Sequence, residues 1–230
     1  MIIAELGMNA YPFTPERLDV MCETAANCGA DAVKIQFFRA AHFPASERVG
    51  KRQYQFPATR LSEFAEIAHR YELRAGASVF EPRHVEKAEL AGMDFIKIAS
   101  REWRNEKLRL ACEMDTSLPI YQSWPAFHLP DEDPGYFQWH CVPNWRLLLC
   151  VSQYPTPEAL AVQVAAMLES PFKGWSSHTA GWIDCEIAKG RGATIFEKHL
   201  ALSKSDPEYR WALLPAAFEK MCVGLGDIHE

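Results

Sequence analysis

Two histidines each follow a short apolar run in the last third of the chain. His178 follows FKGWSS and His199 follows TIFEK, and each run has the length of a buried strand. If the two runs are neighbouring parallel strands, the imidazoles lie side by side at the carboxyl edge of the sheet, where α/β proteins build their sites. Two neutral imidazoles can bind a divalent transition-metal ion and leave positions open for water or substrate. The alternative is that each histidine is an ordinary hydrogen-bonded residue at a strand end.

Two lysines lie inside apolar runs, Lys34 in AVKIQFF and Lys97 in FIKIAS. A lysine is rarely buried without a partner. One interpretation is therefore a structural ion pair inside the protein, with Glu5 as a partner. The functional interpretations are a clamp for an anion, or an amine that forms a Schiff base with a carbonyl substrate.

The ends of the predicted strands carry an unusual set of polar side chains, in which two lysines and two histidines combine with hydroxyls and carboxylates. The set consists of Glu5, Lys34, Gln36, Lys97, Ser100, Glu102, Ser123, Ser152, Tyr154, Ser176, His178, Glu197 and His199. The serines could serve as short donors around a phosphate. Any one of them alone is equally typical of a polar strand end.

The elements that must position these residues are short apolar runs alternating with helical segments. Runs that resemble strands covered on both faces span 2–7, 32–38, 74–80, 95–100, 119–124, 146–152, 172–177 and 194–200. Segments with helical apolar spacing lie between most of them. Eight strands with helical returns predict a (β/α)8 TIM barrel, with a doubly wound open sheet as the alternative. Residues 125–144 contain four prolines and no helical period, so we expect an irregular crossover in place of the fifth helix.

Composition is that of an ordinary globular protein, with 230 residues, 48% hydrophobic and 23% charged. Without a linker or a composition shift, residues 1–230 are predicted to form a single domain. No apolar run approaches the roughly 20 residues of a membrane span, and the start has no basic segment typical of a signal peptide. The seven scattered cysteines indicate reduced thiols and a cytoplasmic location. A net charge of −6 without a basic stripe makes nucleic acid an unexpected partner.

Six motifs occur in an order that resembles the sialic acid synthase family, the N-acetylneuraminate synthases and their legionaminic and pseudaminic relatives. The motifs are IAELGMN, GADAVKIQFF, FIKIAS.E, YPTP, GWSSHTAG and ATIFEKHLAL, and the resemblance runs from about residue 2 to residue 215. It implies a (β/α)8 barrel, usually followed by a small antifreeze-like domain. It also implies condensation of phosphoenolpyruvate with an amino sugar to a 2-keto-3-deoxy sugar acid, with Mn²⁺ as the expected ion and Mg²⁺ or Co²⁺ as alternatives.

The resemblance also implies roles for particular residues. His178 and His199 would be the metal ligands. The residues expected to bind phosphoenolpyruvate are Lys34, Lys97, Ser100, Ser123, Ser152 and Ser176. The residues expected around the reacting carbons are Glu5, Gln36, Glu102 and Tyr154, and Tyr154 also falls where the family binds phosphoenolpyruvate.

Departures from the family pattern cluster on the side of the sugar. Ala10 stands where the family has a histidine, Arg101 replaces a glycine, and Ser177 replaces an aspartate. Glu208 stands at an acidic position of the family, and the antifreeze-like domain is not expected within these 230 residues. We therefore expect an acceptor other than the usual amino sugar, smaller or acidic, near Glu208. Arg101 is expected to contact this acceptor or the carboxylate of phosphoenolpyruvate. The alternative for Arg101 is an ion pair with Glu102 or Glu5 at the rim.

Aromatic side chains near the predicted crossover could cover the opening of the site. They are Trp124, Phe127, Tyr136, Phe137 and Trp139.

The leading hypothesis is a metal-assisted synthase that joins phosphoenolpyruvate to an aldose and releases phosphate. Its expected partners are these two small molecules, with no nucleic acid and no membrane, and a homo-oligomer is left open. One alternative is a degenerate barrel that binds a ligand or a partner protein without turnover. Another is an aldolase or lyase in which Lys34 or Lys97 forms the Schiff base.

Overall fold

The strands close into a barrel in the computed structural model, which describes residues 1–128 and 144–226. The strands are β1 Ile2–Glu5, β2 Ala32–Phe37, β3 Arg74–Val79, β4 Phe95–Ile98, β5 Ile120–Pro125, β6 Trp145–Cys150, β7 Phe172–Ser177, β8 Ile195–Leu200 and β9 Ala212–Leu213. Their order in the sheet follows the sequence, every pairing is parallel, and β1 also pairs with β8. This closure confirms the predicted TIM barrel and excludes the open doubly wound sheet.

In the described part of the chain, helices pack around the strands. They are α1 Pro15–Asn27, α2 Ala45–Lys51, α3 Leu61–Arg70, α4 Arg83–Leu90, α5 Glu106–Met114, α6 Glu158–Ala166, α7 Ile183–Gly190 and α8 Pro215–Leu225. Each lies in a segment of predicted helical spacing except α2, which belongs to the connection after β2. Of the described helices, none is long and apolar enough to cross a membrane.

The predicted crossover in place of the fifth helix lies, apart from residues 125–128 and 144, outside the described residues. The assignment of residues 1–230 to one domain stays a prediction.

The first helix shows how local sequence sets an element. The Thr14 side chain accepts a hydrogen bond from the backbone N–H of Arg17 at 3.3 Å, and Pro15 occupies the first turn. After the helix, Gly29 has a φ of +86°, a conformation that costs glycine little. The chain can therefore reverse within a few residues and bring β2 beside β1.

Three strands end two residues earlier than the apolar runs predict, which matters for the site. β1, β4 and β6 stop at Glu5, Ile98 and Cys150 rather than at residues 7, 100 and 152. After β1 the chain turns into a 3₁₀ segment, Gly7–Ala10, and after β4 into another, Ser100–Glu102. The polar residues that follow these strands therefore lie on turns at the rim of the barrel.

The interior of the barrel is apolar at one end only. The cluster at that end consists of Met1, Ile3, Ala32, Phe95, Tyr121, Leu148 and Ile195. Gly76 makes room for this packing, since a Cβ at Gly76 would lie 2.1 Å from Cζ of Phe95. A larger apolar core fills the space between the sheet and the helices. The polar strand-end residues occupy the opposite, carboxyl end of the barrel.

Candidate active site

The site is a cavity of about 420 Å³ at the carboxyl end of the barrel. It is lined by most of the residues predicted from the sequence, namely Glu5, Lys34, Gln36, Lys97, Ser100, Arg101, Ser123, Ser152, Tyr154, Ser176, His178, His199 and Glu208. The lining also contains Glu197, a strand-end residue to which the sequence analysis gives no role, and residues it does not name, which are Met8, Phe43, Glu47, Lys51, Ser78, Phe80, Ala99 and Trp211. The strand ends therefore converge on one cavity, as in other TIM barrels.

Both interior lysines are ion-paired at the floor of this cavity. Lys34 forms an ion pair with Glu5 and donates a hydrogen bond to Oγ of Ser78 at 2.6 Å. Lys97 lies 3.0 Å from Oε2 of Glu197 and donates to Oγ of Ser123 at 2.6 Å. Lys34 also approaches the other oxygen of Glu197, at 3.8 Å. Glu197 therefore joins the two lysines across the barrel.

The charges of this floor depend on burial and on one another. Burial alone would raise the pKa of Glu197, but Lys97 and Lys34 outweigh burial and lower the pKa to about 2. Burial lowers the pKa of Lys34 to about 8, with the nearby carboxylate of Glu197 opposing it. Glu197 is therefore ionised at neutral pH, and Lys34 loses its proton more readily than an exposed lysine.

Hydroxyl groups gather beside Lys97. Ser152 donates a hydrogen bond to Oγ of Ser100 at 2.7 Å, and both residues lie on the turns that follow their strands. Ser176, at the end of β7, lines the same cavity. The cluster offers several donors with little side-chain entropy to lose, an arrangement suited to a phosphate group.

The two histidines lie together on the other side of the cavity, with ring centroids 5.7 Å apart. Nδ1 of His178 lies 3.0 Å from the carbonyl oxygen of Val151, and Nδ1 of His199 lies 3.3 Å from Oε2 of Glu208. Because carbonyl and carboxylate oxygens only accept, each Nδ1 carries a proton, and in a neutral imidazole this leaves the lone pair on Nε2. Burial lowers the pKa of His178 to about 3, so this imidazole is neutral at neutral pH.

These residues fit a divalent transition-metal ion. A histidine ligand usually donates its other ring N–H to a carbonyl or a carboxylate, which is the arrangement of both side chains here. Within residues 1–128 and 144–226 no three His, Cys, Asp or Glu side chains form a group that could hold an ion. A bound ion would therefore take two protein ligands and complete its shell with water or substrate.

Glu208, which the sequence analysis expects on the acceptor side, lines the cavity and contacts His199. Its Oε2 accepts from the backbone N–H of Met8 at 2.9 Å as well as from His199, and its own N–H donates to Oδ1 of Asn9 at 2.7 Å. Gly7 has a φ of +43°, and a Cβ there would lie 2.3 Å from the same carboxylate oxygen. Glu208 thus orients His199, although it still lines the cavity.

Glu102 was predicted at the reacting carbons, but it does not line the cavity. Its carboxylate accepts a hydrogen bond from Nδ2 of Asn105 at 2.8 Å, next to the start of α5. The 3₁₀ turn after β4 directs it there. The catalytic prediction for Glu102 is therefore not supported by its position.

The mouth is formed by an unpredicted segment, the connection after β2 that contains α2. Phe43 is within 4.4 Å of the guanidinium carbon of Arg101 and within 5.0 Å of Nζ of Lys51, measured from the ring centroid. Arg101 also donates to the carbonyl of His42 at 3.4 Å and lies 3.9 Å from Glu102. Arg101 therefore forms the predicted ion pair with Glu102 at the rim and also lines the cavity.

The aromatic rings of Tyr154 and Trp211 pack against the two histidines. Tyr154 is half exposed, with its ring centroid 4.2 Å from that of His178, and Trp211 lies 6.2 Å from His199. The predicted lid is not formed by Trp124, which is buried and donates to the carbonyl of His128 at 2.7 Å. Phe127 is exposed and does not line the cavity. The other lid residues, Tyr136, Phe137 and Trp139, lie outside the described residues.

Comparison with known proteins agrees with this architecture. The sequence profile of the NeuB family matches residues 21–230. The chain belongs to the NeuB family. Its relatives within the family include the N,N'-diacetyllegionaminic acid synthase of Campylobacter jejuni, 26% identical over 262 residues that cover 100% of this chain and 76% of the relative. The N-acetylneuraminate-9-phosphate synthase of Drosophila melanogaster is also 26% identical, over 97% of this chain and 66% of the relative.

The fold of this NeuB-family chain also resembles a solved structure. The N-acetylneuraminic acid synthetase of Leptospira borgpetersenii, crystallised with citrate, superposes with a TM-score of 0.85 over 97% of this chain and 81% of that one. The two sequences are 24% identical. At this identity the likeness concerns the fold.

Proposed function

We propose that the chain condenses phosphoenolpyruvate with the aldehyde of an open-chain sugar, forms a 2-keto-3-deoxy sugar acid and releases phosphate. The observation that carries the proposal is the pair of imidazoles with free Nε2 atoms, in the same cavity as two lysines and a group of serines. Membership of the NeuB family and the names of the relatives support a synthase of sugar acids.

The charges of the cavity support a requirement for a divalent ion such as Mn²⁺, Mg²⁺ or Co²⁺. The lining contains four cationic side chains and four carboxylates: Lys34, Lys51, Lys97 and Arg101 against Glu5, Glu47, Glu197 and Glu208. These charges balance, so the cavity has no cationic surplus for the carboxylate and the phosphate of phosphoenolpyruvate. An ion at His178 and His199 would supply the positive charge that such an anion needs.

In the proposed reaction the chain's own residues position the reactants. Lys97 and the hydroxyls of Ser100, Ser123, Ser152 and Ser176 would hold the phosphate, and His178 and His199 would hold the ion. When bound, the ion would polarise the aldehyde oxygen. C3 of the enol then attacks the aldehyde carbon, and positive charge develops at C2. Holding both partners in contact supplies much of the rate.

Glu5 is the carboxylate suited to the second half of the reaction. Its Oε1 is buried and receives no hydrogen bond from the described part of the chain. Glu5 would take a proton from the water that adds to C2, and this proton balances the one that the aldehyde oxygen takes up. The C2–O bond to the phosphate then breaks, the C2 hydroxyl becomes the carbonyl, and its proton goes to the departing phosphate.

The mouth supports an acidic acceptor. The cationic groups of Lys51 and Arg101 both contact the ring of Phe43. Nζ of Lys51 also lies 3.4 Å from Sδ of Met8. Both cations therefore lie at the mouth of the cavity, and Lys51 is the one near Met8, whose backbone N–H donates to Glu208. An acceptor with a carboxylate or phosphate far from its aldehyde would pair with them.

Phosphate release from phosphoenolpyruvate across a panel of aldoses tests the proposal. The panel compares neutral sugars with sugars that carry a carboxylate or a phosphate, each with and without Mn²⁺. Metal-dependent release with at least one aldose is expected. Binding of phosphoenolpyruvate without release would support the degenerate barrel, and a covalent adduct trapped with borohydride would support the imine-forming aldolase. A cytoplasmic location and a homo-oligomer stay predictions from the sequence.

A further inference from the structure

A buried lysine behind the two histidines has no role in the proposed chemistry. Lys198 lies between Glu197 and His199 on β8, but its side chain points away from the cavity and toward the helix layer, because side chains alternate along a strand. It is fully buried. Its Nζ donates to the carbonyl of Thr179 at 2.6 Å, to Oγ of Ser177 at 2.9 Å and to Oγ1 of Thr179 at 3.3 Å. All three N–H groups of the ammonium are therefore used.

The two residues that accept hydrogen bonds from Lys198, Ser177 and Thr179, are the chain neighbours of His178. A second layer of contacts fixes them in turn, because the hydroxyl of Thr179 lies 3.2 Å from Oδ1 of Asp184, whose Oδ2 accepts from Nε1 of Trp175 at 2.8 Å. Asp184 is fully buried at the start of α7. The segment that carries His178 is thus tied to the helix layer through one lysine and one carboxylate.

The position of these contacts in the sheet explains why they matter. The ladder between β7 and β8 ends with the pair Ser177 and Lys198. His178 lies beyond this last pair, so no backbone ladder holds it against the strand that carries His199. The Lys198 side chain replaces the missing ladder contact, because it runs from β8 to the carbonyl of Thr179.

We propose that Lys198 is a positioning residue that sets the separation and orientation of the imidazoles of His178 and His199. The expected effect on metal binding rests on the proposed function, whereas the contacts of Lys198 do not depend on it. Without the ammonium, the turn at Ser177 and Thr179 loses three hydrogen bonds. The ring of His178 can then leave the carbonyl of Val151, which fixes its proton on Nδ1.

The first test reads the imidazoles in the metal-free protein. The variants are Lys198→Met, which keeps the length of the side chain but removes its donors, and Lys198→Arg, which keeps donors. Lys173→Met, at an exposed position of β7, is the matched control. Long-range ¹H–¹⁵N spectra of the histidines should show the proton on Nδ1 in the parent and in the control. In Lys198→Met we expect His178 to become a mixture of tautomers, with partial recovery in Lys198→Arg.

The second test measures Mn²⁺ affinity by electron paramagnetic resonance. Lys198→Met should weaken binding by about tenfold, the lower end of the effect of groups that orient metal ligands, and Lys173→Met should not change it. If Lys198→Met does not fold, Ser177→Ala removes one acceptor of the lysine and should shift both readouts in the same direction by less.

The two tests separate this proposal from the proposed function. A folded Lys198→Met with parental imidazole signals and parental Mn²⁺ affinity overturns the positioning role, as does an unfolded Lys198→Met together with an unaffected Ser177→Ala. A parent that binds no Mn²⁺ refutes the metal site instead, and the imidazole signals of the metal-free protein then decide the role of Lys198 alone.

Discussion

Replacing Lys97 by methionine tests whether the buried lysine serves the fold, the substrate or both. Lys97 lies 3.0 Å from Glu197, and both side chains are almost fully buried. Burial alone would raise the pKa of Glu197, but Lys97 and Lys34 outweigh burial and lower it from 4.5 to about 2. At about 1.4 kcal/mol per pKa unit, this difference corresponds to about 3 kcal/mol of folding free energy. Because Lys34 supplies part of this effect, Lys97→Met should cost up to about 3 kcal/mol, since breaking one side of a buried ion pair leaves a charge uncompensated.

The dependence of this cost on pH gives a check on its origin. The pKa of Glu197 is lower in the folded protein than in the unfolded chain, so its stabilising contribution is complete above pH 4.5 and disappears as the pH falls toward about 2. Urea unfolding of the parent should show this loss between pH 4.5 and 2. In Lys97→Met the loss over the same window should be smaller, because Glu197 then has one ammonium group fewer.

A double variant separates folding from binding. Lys97→Met with Glu197→Gln removes both charges and should recover most of the lost stability, because exchanging a whole buried ion pair is often neutral. Isothermal titration with phosphoenolpyruvate should still show a loss of about 2–3 kcal/mol, the scale of a charge-assisted hydrogen bond. If the double variant regains both stability and parental affinity for phosphoenolpyruvate, Lys97 is a structural residue and the reasoning about the phosphate pocket is refuted.

The remaining predictions concern the other two sides of the cavity. Replacing both His178 and His199 by alanine should abolish Mn²⁺ binding and preserve the circular dichroism spectrum; parental Mn²⁺ affinity in this variant would disprove the assignment. Glu208→Gln should weaken Mn²⁺ binding by about 10- to 100-fold in equilibrium dialysis, because the amide orients His199 less firmly, and an unchanged affinity would rule out this role. Lys51→Met and Arg101→Met should each raise KM for an acidic aldose by about tenfold at unchanged KM for phosphoenolpyruvate. An equal effect with a neutral aldose, or a neutral aldose that is preferred by the parent, would contradict an acidic acceptor.

The sequence by itself determined that the strands form a barrel and which residues lie at its carboxyl end. Each apolar run is short and bounded by turn residues, which fixes the number of strands, and parallel strands place their carboxyl ends at one edge. His178, His199, Lys97 and the serines therefore had to meet in one cavity, whatever their detailed contacts.

Only the tertiary structure decided which of these residues touch. A strand's period of two gives the face on which a side chain lies, but not the neighbour it reaches across the barrel. For this reason the partners of Lys97 and Glu197 were not predictable, and neither was the hydrogen bond that turns Glu208 toward His199.

Residues just beyond the strands were the least predictable, because their direction depends on turn geometry rather than on periodicity. Glu102 leaves the cavity on a 3₁₀ turn. Lys51 enters it from the end of α2, a short helix without buried residues, and Phe43 enters it from the segment just before that helix. Lys198 looks like one more charge in the run FEKH, and its importance comes from the place where the ladder between β7 and β8 ends. That place is set by the closure of the whole barrel, a long-range property that no local pattern contains.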